Sequence, residues 1–487
     1  MRCIGAAAIA LLTAVTHGES QTNTNSSQEI LLLDRLGRVV RVSTNEVPAS
    51  LLPPPALGMQ HQRPEPLQGA SQPEELQQRN REAASPGFQF LPSTPPKLSP
   101  YLASQNQFGN TAARPGPLFG YYLMEPFVQT PKYWLSDYGL DYSLQQTLTF
   151  VNMTGVQDGN NALGFYTLEL KAAWAIYDSP ATAGWIRAQL NAKSGLGDNG
   201  QEQDAGRNLG TIFDPTGIWS GINGVRLPEL AWGQSFLDGE LVILGGVVNQ
   251  GNYIDRNAYA QTGRGQFLNS ALQNSEVLPL PEYNFGLNLQ WQPVREWYAM
   301  MGASAGNNAA GSPPWTAFNL NTWTLLWELA YAPEDLFGLG PGIYRVDPFL
   351  ARAQEPTGAG VSFNLQQKLG TNTPLAWFGR FGFGAERAAA IASAQVATGF
   401  VIQGAFQHYL LQRTSNDLLG VGFVWSQPAA TDKTVYHQNE YAIETFYTVQ
   451  LTSTVRLEPD LQYVINPAFN ASHDSALAFQ LQLVVSW

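Results

Sequence analysis

Charged side chains are scarce in this chain, and many fall where an extended backbone would turn them to one side. Glu169 and Lys171, Glu328, Arg380, Glu440 and Glu444, and Arg456, Glu458 and Asp460 take the parity opposite to their apolar neighbours. A wall of mixed sign solvates a water column and sets what passes along it. For a polyhydroxylated solute the chemistry is specific. Hydroxyl groups need paired donors and acceptors, which guanidinium and carboxylate supply, and pyranose faces pack on aromatic rings. A path for anions would line its narrowest part with Arg and Lys; among these inward positions carboxylates outnumber them.

Covalent chemistry has little to work with. The five histidines (His17, His61, His408, His437 and His473) are scattered, and His408 near Ser415 is the closest approach to a nucleophile and base, with no third group to orient it. No His, Cys or carboxylate spacing forms a recognised metal-ligand set. Asn249-Gln250-Gly251-Asn252 and Gly338 to Gly342 bear glycine but no following Lys-Ser/Thr, so no phosphate cradle is indicated. No catalytic group, cofactor or metal is expected.

The elements that must position the charges are strands. In Ala476 to Trp487, Leu477, Phe479, Leu481, Leu483, Val485 and Trp487 alternate with small or polar residues, a period of two along a whole strand. Trp323, Leu325, Trp327, Leu329 and Tyr331 share a face opposite Thr322, Thr324 and Glu328. From about Gly120 onward some sixteen such runs are expected, near 142–153, 164–177, 183–194, 226–236, 240–248, 284–292, 296–305, 322–332, 342–352, 359–369, 375–385, 394–406, 419–426, 440–451, 455–466 and 476–487. Each is near the roughly 9–11 residues of a tilted membrane strand. Leu227 to Phe236 does not alternate cleanly, which suggests a bulge. Connections 179–182, 237–239, 293–295 and 452–454 are short, whereas 195–225 and 249–283 are long. Short and long alternate when one end carries periplasmic turns and the other outer loops. The expected fold is all-β, a transmembrane antiparallel barrel of about sixteen strands, closed by pairing of the last strand with the first.

Composition agrees. Only 13% of the 487 residues are charged, while Gly (46), Trp (13), Tyr (19) and Phe (24) are abundant. This suits a wall facing lipid with aromatic rims. A net charge of −12 leaves no basic footprint for nucleic acid. Met1 to Ser20 reads as a secretory signal, with Arg2, an apolar core from Ile4 to Val15 and a small-x-small end at Gly18-Glu19-Ser20. The sole cysteine, Cys3, lies inside it. Residues 21–117 are polar and Pro-rich and read as a largely disordered periplasmic extension, with a short hairpin at Ile30 to Val42 and a short helix at Glu74 to Ala83. Residues 118–487 form the barrel domain.

Several runs resemble one family. Leu227-Pro228-Glu229-Leu230-Ala231-Trp232-Gly233-Gln234-Ser235-Phe236, Phe267-Leu268-Asn269-Ser270, Arg413 to Gly422, and Glu444 to Tyr447 with Leu457-Glu458-Pro459-Asp460-Leu461-Gln462-Tyr463-Val464-Ile465-Asn466-Pro467 are similar to motifs of the carbohydrate-selective, OprB-like porins. Trp134 to Leu140 resembles that family's entry motif, so the likeness runs from about Pro131 to Trp487. It departs in the Pro-rich extension, in Asn416, and in Trp487 where the family usually ends in Phe. The resemblance implies a Gram-negative outer-membrane channel for passive diffusion of monosaccharides or small oligosaccharides. It implies a final strand read by the barrel-assembly machinery. Glu229 and Glu444 are candidate substrate-binding residues by their place in the motifs. Glu328, Arg380 and Arg456 join them by parity, and Asp255 and Arg256 by their place in a long loop. Expected partners are permeant sugars, outer-membrane lipid and, through the extension, peptidoglycan. A general or other-solute porin, or an adhesin tethered to the cell wall, is the alternative.

Overall fold

A computed structural model describes the strand pair 29–33 and 39–43, Leu135, and residues 138–486 except 180, 197–203, 218–222, 262–263, 307–317, 353–356, 371–372, 387, 389–390, 406–416, 430–437 and 453. The expected signal, most of the Pro-rich extension, the helix at Glu74 to Ala83, His408, Ser415 and Trp487 lie outside the described residues. In the first of two compact units, residues 1–72, β1 (Glu29–Leu33) pairs antiparallel with β2 (Val39–Ser43), at the position expected of a hairpin.

In the second unit sixteen strands form a closed antiparallel barrel. They are β3 (Leu140–Thr154), β4 (Ala162–Asp178), β5 (Ala183–Gly195), β6 (Gly224–Phe236), β7 (Leu241–Val248), β8 (Asn284–Val294), β9 (Trp297–Ala305) and β10 (Trp323–Tyr331). There follow β11 (Gly342–Arg352), β12 (Gly358–Lys368), β13 (Leu375–Gly384), β14 (Ala392–Gln403), β15 (Asp417–Pro428), β16 (Glu440–Gln450), β17 (Val455–Ile465) and β18 (Ser475–Ser486). Every expected strand is present, with ends shifted by a few residues. β18 pairs with β3 from Leu477↔Thr154 to Ser486↔Gln145, so no edge stays open. The connections 179–182, 237–240, 295–296 and 451–454 are short and share one end; 196–223 and 249–283 share the other. The alternation is imperfect, because 404–416 at the short-turn end exceeds 353–357 at the other.

The barrel is apolar outside. On β18, Leu477, Phe479, Leu481 and Leu483 are 36–52% exposed, while Ala478, Gln480, Gln482 and Val484 are fully buried. That is the reverse of a water-soluble barrel and fits a wall immersed in hydrocarbon. Trp174, Trp232, Trp291 and Trp297 project outward near the short-turn end, and Trp297 packs on Tyr331 at 4.8 Å. They make an aromatic girdle of the kind that sits at headgroup level.

The bulge in β6 is present. Gln189 pairs with Glu229 but Asn191 with Arg226, so β6 holds an extra residue at Leu227-Pro228. Proline has no N–H to give the ladder and fits where pairing lapses. The inserted residue switches side-chain parity, and both Arg226 and Glu229 therefore face inward.

Candidate functional site

The two long connections fold into the barrel. In the third, 196–223, a short helix α1 (Ala205–Leu209) is capped by Asp204, whose side chain accepts from the Arg207 N–H. In the fifth, 249–283, a single turn α2 (Ser270–Gln273) is capped by Asn269. Both loops are held by carboxylates and amides of the wall that receive backbone N–H groups. Glu440 accepts from Ile212 N at 2.9 Å and from Ala468 N at 2.8 Å. Glu444 accepts from Leu268 N and from Asn269 N, the latter at 2.9 Å, while Asn269 Nδ2 donates to Gln462 at 3.1 Å. Phe267 is fully buried against Phe446 (4.8 Å, edge-on) and Phe378 (5.1 Å). Gly422 leaves room for it, since a Cβ there would sit 2.7 Å from the Phe267 ring. Phe267-Leu268-Asn269-Ser270 is thus the docking element of the fifth loop, and Glu444 and Gln462 in the closing motifs are its receptors.

The other expected site residues converge on the same loop. Glu229 forms an ion pair with Arg187 at 2.9 Å and accepts from Tyr253 OH (2.6 Å) and Asn252 Nδ2 (2.8 Å). Glu328 accepts from Asp255 N at 2.9 Å and Tyr298 OH at 2.8 Å. Asp255 accepts from Arg380 Nε (3.0 Å), Asn364 Nδ2 (2.7 Å) and Ser275 N (2.6 Å). Arg380 spends its remaining donors on the carbonyls of Leu272 (2.6 Å), Ala260 (2.8 Å) and Asp255 (3.2 Å). Arg456 donates to Gln450 at 3.2 Å and to the Arg264 carbonyl at 2.5 Å. Glu229, Asp255, Glu328, Arg380 and Glu444 are each at most 1% exposed. Their polar atoms face loop and wall; Arg256 and Arg456, by contrast, are half-buried.

Sequence reasoning missed Arg187, Asn252, Tyr253, Tyr298, Arg345 and Asn364. The parity that identified Glu328 and Arg380 extends to Arg187 on β5, Arg345 on β11 and Asn364 on β12; Tyr253 and Asn252 lie in a loop without periodicity. Nor do carboxylates outnumber cations here. Arg187, Arg256, Arg345 and Arg380 stand near one another and near Glu229, Asp255, Glu328 and Asp347. Burial holds Arg256 down at about 10, reinforced by Arg187, Arg345 and Arg380. Where the third and fifth loops meet, Asp214 N donates to Ser270 Oγ (3.2 Å), and Ser270 Oγ donates to Glu276 (2.5 Å). Burial raises Asp214 to about 6 and Glu276 to about 7, with smaller upward contributions from Asp204 to Asp214 and from Asp214 and Asp255 to Glu276. A lumen narrowed by clamped loops, with the half-buried guanidinium groups of Arg256 and Arg456 and the amide of Asn252 left partly exposed, can exchange hydrogen bonds with hydroxyls without breaking any covalent bond.

Comparison with known proteins agrees with this architecture. The chain is 26% identical over 342 residues to "Porin AaxA" of Chlamydia caviae, covering 64% of this chain and 67% of that protein. It is 26% identical over 323 residues to "Porin AaxA" of Chlamydia abortus, covering 61% and 64%. The chain thus spans about two thirds of these relatives' length. A solved structure of Pseudomonas putida OprB superposes with a TM-score of 0.59 at 17% identity, over 74% of this chain and 97% of that one, a likeness of fold. The family model described as "Carbohydrate-selective porin, OprB family" matches residues 181–486, which include every wall strand from β5 to β18 and both inward loops. The chain belongs to the OprB family of carbohydrate-selective porins.

Proposed function

We propose that this outer-membrane porin passes neutral polyhydroxylated solutes of monosaccharide size, by passive diffusion. The observation that carries the reading is the fifth loop held inside the barrel by charges of the wall. Glu229, Arg187, Tyr253, Asn252 and Gln189 form one connected set of donors and acceptors that fixes the loop beside the half-buried Arg256. The partly exposed Asn252 and Arg256 can trade partners with sugar hydroxyls at small net cost, because one hydrogen bond replaces another. On this reading Arg256 and Arg456 meet the solute directly. Glu229, Asp255, Glu328, Arg380 and Glu444 act through the loop they hold, as positioning residues. The family's description supports the solute class; the Chlamydia relatives' printed names state only that they are porins.

Liposome swelling tests this directly. Glucose should enter faster than an amino acid or a disaccharide of comparable concentration. Equal rates for glucose and size-matched amino acids would leave a general diffusion porin as the better reading. We further propose that residues 1–20 are removed on export and that residues 21–117 remain in the periplasm, where peptidoglycan is the expected contact. Lipid surrounds the barrel, and the barrel-assembly machinery inserts it.

A further inference from the structure

Glu169 on β4 and Arg456 on β17 lie on opposite sides of the seam formed by β3 and β18, and one short piece of the fifth loop ties them together. Arg264 reaches Glu169 through its guanidinium at 3.2 Å, while its carbonyl receives Arg456 Nη1 at 2.5 Å. Lys171 joins the Glu169 end at 3.0 Å. The next residue, Gly265, has φ +105°, and a Cβ there would collide with the Arg456 guanidinium, so the crossing demands glycine. By the register, this strap passes over Thr167, Thr147 and Val484.

Beneath and beside the strap lies an unusual stretch of wall. Thr448, Glu458, Gln482 and Thr149 are inward neighbours on β16, β17, β18 and β3, with Thr147 and Thr167 one step below. All six are at most 1% exposed, and each carries side-chain oxygen or nitrogen atoms with no hydrogen-bond partner among the described residues. Glu458 lies beside the Gly265 backbone N–H of the strap and the Arg456 guanidinium of its own strand. Above them Gln480 and Gln462 donate to the Pro215 carbonyl of the third loop at 2.6 and 2.7 Å, which fixes the upper edge. Buried polar groups in native proteins are almost always paired. Six adjacent side chains with unpaired atoms, against neighbours in twos such as Asp347 with Ser362 and Ser426 with Glu440 elsewhere in the wall, mark a place where partners arrive from outside the chain. Hydroxyls, one amide and one carboxylate offer donors and acceptors of the kind a polyol carries.

We propose that this ledge is a second holding site for polyhydroxylated solutes, closed over by the Arg264–Gly265 strap and reached when the Arg264–Glu169 tie releases. It deepens the sugar reading and rests on it for the class of solute. The tie is the weaker bolt: Arg264 is only partly buried, and a partly solvated ion pair holds less firmly than the fully buried clamps elsewhere in the loop.

The one cysteine of the chain is Cys3, so single thiols can be placed at Thr149, Thr448 and Gln482 and probed with a small charged methanethiosulfonate during single-channel recording. The thiols should react and reduce the current, glucose at about 10 mM (about tenfold above a millimolar site) should slow the reaction several-fold, and R264A should speed it. Intact barrels whose thiols never react, with or without R264A, overturn the site. So does reaction at one rate with and without glucose in channels that still admit glucose in liposomes, and the sugar reading survives both. Thiols that react in a channel admitting no sugar would instead sink the sugar reading, and the ledge's solute class with it.

Discussion

Glu444 supplies both acceptors for the N–H groups of Leu268 and Asn269, at the point where the fifth loop docks. Glu444→Ala strands two buried donors, each costing about 1–3 kcal/mol, while Glu444→Gln keeps one acceptor oxygen. The alanine variant should therefore give noisier single-channel currents and admit disaccharides several-fold faster, with the glutamine variant between it and the parent. Unchanged disaccharide entry in both would show that the clamp does not set the aperture. Asp214 and Glu276 make the loop junction pH-sensitive. Their folded values, about 6 and about 7, lie above the ordinary 3.8 and 4.5, chiefly through burial. A raised carboxylate binds its proton more tightly in the folded state, so its contribution is full at low pH and lost as pH rises through the folded value. The junction should loosen progressively as pH rises from about 4 to about 7, seen as rising current noise across that window. Asp214→Asn with Glu276→Gln should flatten the profile; a profile unchanged in the double variant would place the titrating group elsewhere.

Strands and loops were not equally legible. A strand with one face in lipid and one in water has to alternate, so β10, β16 and β18 announce themselves in Trp323 to Tyr331, Tyr441 to Val449 and Leu477 to Val485. Even the failure of alternation in Leu227 to Phe236 was informative, because only an extra residue can break a period of two and then resume it. Residues 249–283 obey no such period. Their fold depends on receptors hundreds of positions away, and nothing local in Tyr253 or Asn252 points to Glu229 as partner. Parity therefore located the inward charges but not what they hold. The bulge itself is testable. Deleting Leu227 restores simple alternation with Arg226 two residues before Glu229, so both still face inward and Arg226 keeps Asn191 as its partner. What is lost is the local bend and extra twist of the bulge. Folding judged by heat-dependent gel mobility should persist, with conductance close to that of the parent. Loss of folding would mean that the bulge is needed for barrel closure itself.

At the scale of the whole molecule, closure by β18 on β3 joins the two ends of a barrel whose lumen packs around inward loops rather than around its own wall. Removing residues 21–117 should leave conductance unchanged if that segment is only a tether, whereas a changed current would give it a place in the channel. Trp487→Ser tests the terminal aromatic as an assembly signal, by the yield of protein inserted in the outer membrane. The lipid-facing assignment of the closing strand is the most exacting of these claims, because it fixes a depth as well as a face. Leu481 lies in mid-strand, opposite Phe150 and Pro459, whereas Leu477 lies near the long-loop rim opposite Thr154 and Tyr463. Both point outward and are similarly exposed, at 36% and 42%. In water the two would tolerate arginine equally. In a bilayer the cost follows depth, about 2–4 kcal/mol at the midplane and about 0–1 near the interface. Urea unfolding of Leu481→Arg and Leu477→Arg in lipid vesicles should separate them by roughly 2 kcal/mol or more. Equal losses would mean that β18 does not cross the hydrocarbon in the position its alternation and pairing require.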